Sequence, residues 1–345
     1  MHDLAVIVVA IPNEPQWVGP CLRSVGDHAG RGIALEAIVA DNRTPGIAEI
    51  VEDEFPWARV VECDNHGFAH ANNRALATCN ARYVLFLNPD TEILDGSLQQ
   101  LVEFLDRNTE LGLIGVRQVT SDGSVYPTIR RFPSARRAFA DALALQRWAP
   151  FSGRIGERVV DSNAYGSETR CDWTTGSFML VRREAIESSG IFDERFFIYS
   201  EEADLCYRLK QAGWEIAHVP TMTILHHADK SPDSPRRRAQ DAFSRLQYSH
   251  KHFTTVHRFF YRFALATRYG LRMFGPDGNR RAASRAGFAM TFGMADPPFG
   301  APPSQAVSLR DDNRHEPADH RSASGPVQIA GRADAPVVDG LADHQ

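Results

Sequence analysis

The residues best equipped for chemistry are acids placed where apolar runs end. Asn88-Pro89-Asp90 closes the run Tyr83 to Leu87, putting Asp90 where one carboxylate can hold a hard divalent cation, magnesium or manganese, together with substrate phosphate oxygens. The same Asn-Pro-Asp-Thr stretch is also good turn chemistry, so its company decides. Asp41 follows Ala37 to Val39; a carboxylate there can accept hydrogen bonds from a nucleobase or ribose, or cap the next helix. Asn65-His66-Gly67-Phe68-Ala69 reads as a helix start with a glycine that permits close backbone approach, and Asn72 and Asn73 follow one turn on; a capped structural helix is the alternative. The strongest signal is Phe192 to Cys206, where Asp193, Glu194, Glu201, Glu202 and Asp204 lie in an aromatic setting. Desolvation raises a carboxylate pKa toward the operating pH, which suits a general base acting on a hydroxyl. An acidic first helical turn, favoured by the macrodipole, is the rival explanation. His226 follows Thr223-Ile224-Leu225 with His227 beside it, and on a strand only one of the two enters a given crevice. A neutral imidazole there can complete a metal sphere.

The elements that must position these groups form an alternating pattern. Leu4 to Ala10, Ala37 to Val39, Val60 to Val61 and Tyr83 to Leu87 are β-branched or apolar runs, and the segments between them, notably Phe68 to Cys79, look helical. That alternation predicts a doubly wound, mostly parallel α/β sheet with ligands collecting at the carboxyl ends of its strands. Each of those ends is polar: Asn13 with Glu14, Asp41-Asn42, Asp64-Asn65 and Asn88-Pro89-Asp90. Further on, Ser177 to Val181 reads as a strand, Ser200 to Ala212 as a helix stopped by Gly213, and Glu215 to Val219 as a strand before Pro220. Interleaved aromatic and basic residues from Arg236 to Phe274 suit one or two amphipathic helices. After Gly275 the composition lacks large apolar residues and predicts a disordered tail over 275–345. The domain expectation is a catalytic unit over 1–231 and a helical extension over 232–274.

Composition removes several function classes. A formal charge of -5 supplies no basic field for nucleic acid. Cys21, Cys63, Cys79, Cys171 and Cys206 show no CxxC spacing and no even framework, which fits a reducing cytoplasm and neither a zinc ribbon nor a disulfide scaffold. No stretch reaches the ~18 apolar residues of a membrane span.

Taken in order, several motifs resemble glycosyltransferase family 2, and within it the bacterial rhamnosyltransferase-like enzymes, over Leu4 to Ser231. They are Asp41-Asn42, Asn65-x-Gly67-Phe68-Ala69, Leu87-Asn88-Pro89-Asp90-Thr91, Arg131-Phe132-Pro133-Ser134, Trp173-x-x-Gly176-Ser177, Phe192-Asp193-Glu194-x-Phe196-Phe197, Glu201-Glu202-x-Asp204-Leu205, and Pro220 followed by His226. The resemblance implies the GT-A fold and an inverting, metal-dependent transfer of a sugar, rhamnose among the candidates, from a nucleotide diphosphate donor to a glycan or lipid-linked acceptor hydroxyl. It implies Asp90 as metal ligand, His226 at the metal or diphosphate end, and Glu202 as catalytic base, with Glu201 and Asp204 as second choices. The donor would be held by Asn13, Asp41, Asn65, Gly67, Asn73, Asn88, Trp173 and Gly176. Glu202 departs from the family pattern, which usually has aspartate there, and Ile11-Pro12 replaces a usual Tyr-Asn.

Two rivals follow from the same residues. A nucleotidyltransferase that activates sugars uses a related sheet with carboxylate-bound magnesium, but Ile11-Pro12-Asn13-Glu14-Pro15 lacks the glycine-rich loop that it, and a dinucleotide dehydrogenase, would need. The departures at Ile11-Pro12 and Glu202 also admit a catalytically impaired binding protein. The basic aromatic segment supports peripheral contact with the inner face of the cell membrane, or else helices packed on the catalytic domain.

Overall fold

The computed structural model describes residues 1–12, 14–145, 155–227 and 234–299. The first apolar runs become β1 (His2–Ala10), β2 (Leu35–Asp41), β3 (Ala58–Glu62) and β4 (Ala81–Leu87), separated by α1 (Val18–Asp27), α2 (Ile47–Glu54) and α3 (Phe68–Leu76). They pair in parallel in the order β3-β2-β1-β4. β1 is apolar on both faces because both are covered. Ala5, Ile7 and Val9 join one core with α3, whereas Leu4, Val6, Val8 and Ala10 join another with α1 and α2. Each fully buried aliphatic side chain there contributes about 1.5–3 kcal/mol, so the strand interior has no room for polar groups and they gather at its ends.

The chain continues through β5 (Thr91–Asp95), α4 (Leu98–Arg107), β6 (Leu111–Val119), β7 (Ile129–Arg130), α5 (Ala135–Ala142), β8 (Thr169–Arg170), β9 (Trp173–Thr174), β10 (Phe178–Arg182), α6 (Arg183–Ser189), α7 (Glu201–Gln211) and β11 (Glu215–His226). The sheet extends as β4-β10-β6-β11-β5 with β8 also on β11, while β7 and β9 form a separate pair. The expectation of a mostly parallel sheet describes its first half; the second half is mixed. β10 runs antiparallel to both β4 and β6, a reversal that needs no crossover helix. β11 is longer than the expected Glu215 to Val219. A shift in register between Val219 and Thr223 absorbs Pro220, and the strand carries on to His226.

Three helices close the described chain: α8 (Pro235–His252), α9 (Thr255–Arg272) and α10 (Gly278–Thr291). Ser234, Thr254 and Asp277 cap them, each side chain accepting a backbone N–H from the first turn. Here the expected fading of order after Gly275 needs correction, because α10 packs on α8 and α9. Small residues make this contact: Ala283 and Ser284 are buried, and a side chain at Gly287 would come within 2.9 Å of the Tyr269 ring. Close approach by small residues leaves little apolar signal to read. Residues 300–345 of the expected tail lie outside the described residues. α8 is joined to the body of the protein, since Tyr248 enters the core that α3 and α7 share and Ser244 Oγ donates to the Ile198 carbonyl at 2.7 Å.

Candidate active site

The cation end is made by strand pairing. β5 and β11 pair with His226 opposite Thr91, and the His227 N–H donates to the Asp90 carbonyl at 2.9 Å. This brings Asp90 Oδ1 to 3.2 Å from His226 Nε2, with neither atom hydrogen-bonded among the described residues. Asp90 is only 3% exposed, and a buried carboxylate oxygen without a hydrogen bond is costly. A divalent cation fits this pair, because neighbouring ligands of an octahedral ion with bonds of about 2.1 Å lie roughly 3 Å apart. Among the described residues no group of three or more His, Cys, Asp or Glu could hold a metal, so water and phosphate oxygens would complete its sphere. The other His226 nitrogen, Nδ1, lies 2.9 Å from the amide of the fully buried Gln118, whose Oε1 accepts from Ser177 Oγ at 2.6 Å. His227 leaves the crevice and bonds Glu92 at 2.6 Å, its ring stacked on Trp17.

The acid end is sorted by ion pairing. Asp193 is bound by Lys251 at 2.6 Å and by Arg195; burial opposes its charge, but these partners outweigh burial and hold its carboxyl far below the usual range. Glu194 accepts from Asn73 at 2.9 Å and lies 2.8 Å from His70 Nδ1, which likewise overcomes desolvation and lowers its pKa. Asp204 is fully buried, yet His252 and Lys251 at 2.7 Å and Arg208 at 2.9 Å keep it ionised against that burial. Glu201 and Glu202 differ, for each retains a buried Oε2 without a hydrogen bond. Desolvation, then the negative charge of Glu202, pushes Glu201 well above the usual carboxylate range. Glu202 is also raised by desolvation, against which its own backbone N–H and the charges of Arg130 and Arg245 favour the anion. The two carboxyls thus share a desolvated site in which burial favours the protonated form of each.

Backbone strain sets these two acids in place. Tyr199 and Ser200 have φ of 72° and 70°, a left-handed conformation costly for non-glycine residues, immediately before α7. Gly67 supports the same loop. Its φ is 102°, Phe68 N–H donates to the Phe197 carbonyl at 2.8 Å, and a Cβ at Gly67 would fall 2.2 Å from that oxygen.

Both ends open into one cavity of about 360 Å³. Of the residues singled out in the sequence, Asn88, Trp173, Gly176, Glu201, Glu202 and His226 line it, with Asp90 directly behind His226. Others are placed elsewhere. Asp41 accepts from the Thr44 N–H at 2.7 Å and so caps the turn before α2. Asn65 is exposed on the β3–α3 loop, Gly67 meets Phe197, and Asp204 lies in its ion-pair network. Asn73 clamps Phe192 through both backbone groups, at 2.9 and 3.1 Å. Asn13 lies outside the described residues. The cavity also holds residues that the sequence did not single out for the site: Gln118, Arg130, Glu157, Tyr199, Asp241 and Arg245. Arg130 directly precedes the Arg131-Phe132-Pro133-Ser134 motif. Arg245 of α8 bonds Glu157 and Asp241, each at 2.9 Å, an arrangement with no local sequence signal.

Known proteins resemble this chain in sequence and in fold. Residues 6–188 match the family described as Glycosyl transferase family 2, just over half of the 345-residue chain. The chain belongs to that family. This glycosyltransferase is 31% identical over 252 residues to the N-acetylglucosaminyl-diphospho-decaprenol L-rhamnosyltransferase of Mycobacterium tuberculosis, a match covering 66% of this chain and 79% of that one. It is 28% identical over 200 residues to Rhamnosyltransferase WbbL of Escherichia coli K12, covering 55% and 72% respectively. Among solved structures, GalNAc-T7 with UDP, GalNAc and Mn2+ superposes with a TM-score of 0.58 at 12% identity, over 85% of this chain and 56% of that one. The mannosyltransferase PcManGT of Pyrobaculum calidifontis, with GDP-Man and Mn2+, gives 0.50 at 15% identity over 85% of each chain. The fold of this glycosyltransferase is thus GT-A, a mixed central sheet with helices on both faces.

Proposed function

We propose that this glycosyltransferase transfers a sugar from a nucleoside diphosphate donor to the hydroxyl of a lipid-linked acceptor, inverting the anomeric centre in one displacement. The observation that carries the reading is the opening of the Glu201 and Glu202 carboxylates into the cavity that His226 lines. Asp90 and His226 would hold magnesium or manganese, which when bound neutralises charge on the departing diphosphate. Glu202, whose charged form the nearby Arg130 and Arg245 favour, takes the proton of the attacking hydroxyl. Burial and the neighbouring Glu202 charge both push the Glu201 pKa up, which favours its neutral form beside the base. Glu202 reaches one methylene further than an aspartate would, and the strained Tyr199-Ser200 turn sets the start of that reach. Rhamnose and a diphosphate-linked polyprenol are the favoured donor sugar and acceptor, because the relative's own name carries both.

The acceptor class brings the protein to a membrane surface. No described helix is long and apolar enough to cross one. α9 instead carries an exposed stripe at helical spacing, Val256, Phe259, Phe260, Phe263 and Leu271, with Phe274 just beyond, exposed by 49–87%. Residues 235–292 hold twelve Lys and Arg against two Asp, a balance suited to anionic lipid. Sedimentation with anionic vesicles should fall when Phe259, Phe260 and Phe263 are changed to Ser; unchanged sedimentation would remove the membrane part of the reading.

For the donor site, melting temperatures should be compared with dTDP, UDP and GDP, each with and without manganese, on the native chain and on Asp90→Ala. A shift that needs both the metal and Asp90 supports the reading. Equal shifts in both proteins, or none with any nucleotide, would overturn it.

A further inference from the structure

The wall of the cavity formed by β7 and the segment after residue 154 holds a pair of arginines to which the transfer chemistry assigns no ligand, Arg130 entering it only through its charge near Glu202. Arg130 and Arg158 are partners in an isolated antiparallel bridge, so their side chains leave the backbone on the same face, and both line the cavity. Like charges opposite one another destabilise such a pair unless an acid intervenes. None does. The nearby acids Glu157 and Asp241 are bound to Arg245, and neither Arg130 nor Arg158 forms an ion pair among the described residues. Arg130 is 7% exposed, and its buried Nε has no hydrogen-bond acceptor. Its guanidinium is fixed over the rings of Trp173, at 5.7 Å, and Tyr126, at 6.0 Å, which leaves the donor fork oriented before any ligand arrives.

A buried, pre-oriented guanidinium with an orphaned N–H beside a second unpaired guanidinium has the donor set of a phosphate seat. It is separate from the Asp90 and His226 end, since neither of those residues contacts the arginine pair in any ion pair among the described residues. We propose that Arg130 and Arg158 bind the diphosphate of the acceptor, holding its sugar hydroxyl toward Glu202. This rests on the transfer reading above and deepens it by assigning residues to the anionic part of the acceptor. The donor diphosphate has the same chemistry, so the test must separate the two sources.

The first arm is calorimetric titration of inorganic pyrophosphate into the native chain in EDTA, where any cation-held site is disabled. The proposal expects measurable binding, weakened ~10-fold or more in Arg158→Gln and in Arg130→Lys, and unchanged in Asp90→Ala. Arg158 is exposed, so its substitution spares the fold even if a change at Arg130 does not. Binding that survives both arginine changes, or that disappears with Asp90→Ala, overturns the proposal. In the second arm, with donor and a diphosphate-linked acceptor, the acceptor KM should rise in Arg158→Gln while the donor KM holds; a rise in the donor KM alone reassigns the pair to the donor and refutes it. If the native chain transfers no sugar from any donor, the transfer reading fails by itself, whereas pyrophosphate binding lost only with the arginines still places an anion seat here.

Discussion

The cation end and the acid end of the cavity are built by different means. Asp90 and His226 meet because two sheet strands pair in one register, so their geometry is inherited from backbone hydrogen bonds and a dry core. Glu201 and Glu202 are presented by a left-handed turn whose neighbours are held by side-chain ion pairs and by one glycine. A site part carried by strands changes only if the sheet changes. One carried by a strained loop is open to single substitutions, and of the five acids in Phe192 to Cys206 three are held by ion pairs or hydrogen bonds while Glu201 and Glu202 each keep an unbonded buried oxygen.

Substitutions at each end can break or sharpen that contrast. Asp90→Ala should lower sugar transfer by about 10³-fold while leaving the melting temperature in the absence of ligand near native, because the loss is electrostatic and the strands remain paired. A large drop in melting temperature would instead make Asp90 a structural residue. Asp204→Asn at the acid end should cost about 3 kcal/mol in denaturant unfolding, since it leaves His252, Lys251 and Arg208 short of a buried anion. The sign with pH follows from the lowered folded pKa of Asp204. Its stabilisation is present above the ordinary carboxylate pKa and is lost as pH falls through the folded value, so native and variant should converge in strong acid. Gly67→Ala should cost about 2 kcal/mol through strain and contact with Phe197, read by the same unfolding curve, and kcat should fall as the turn before α7 shifts. The smallest effect belongs to Glu201→Gln. Glu201 has a raised folded pKa, so the native protein loses stability as pH rises above the unfolded carboxylate value toward it. The variant carries no such proton, and as pH rises above the ordinary carboxylate pKa its melting temperature should fall less than that of the native chain by a few degrees. An equal fall in both would show that Glu201 is not held protonated.

How much of this the sequence disclosed also divides between the two ends. β-branched runs with polar ends gave the parallel half of the sheet and the crevice beside Asn88, because a strand covered on both faces can be read from its composition. His226 was legible as one of a pair on a strand. Glu201 and Glu202 were legible as members of an acidic run, but the partners that separate them from Asp193, Glu194 and Asp204 are remote in sequence: Lys251 and His252 stand in α8 and Asn73 in α3. Asn73 and Gly67 were read as donor contacts and serve instead as supports for the Phe192 to Ser200 segment, since a clamp and a ligand site use the same side chains. Arg245, Glu157 and Asp241 form a cross-chain triad on no local pattern. α10 was missed because small residues, not large apolar ones, make its contacts.

The central claim is that Glu202 takes the proton from the acceptor while the donor is held independently at the cation end. It is tested most directly by kcat of Glu202→Gln with saturating donor, acceptor and manganese. The account predicts a fall of about 10³-fold with the donor KM within a factor of about three of native. Turnover within tenfold of native would contradict it and move the base to another residue.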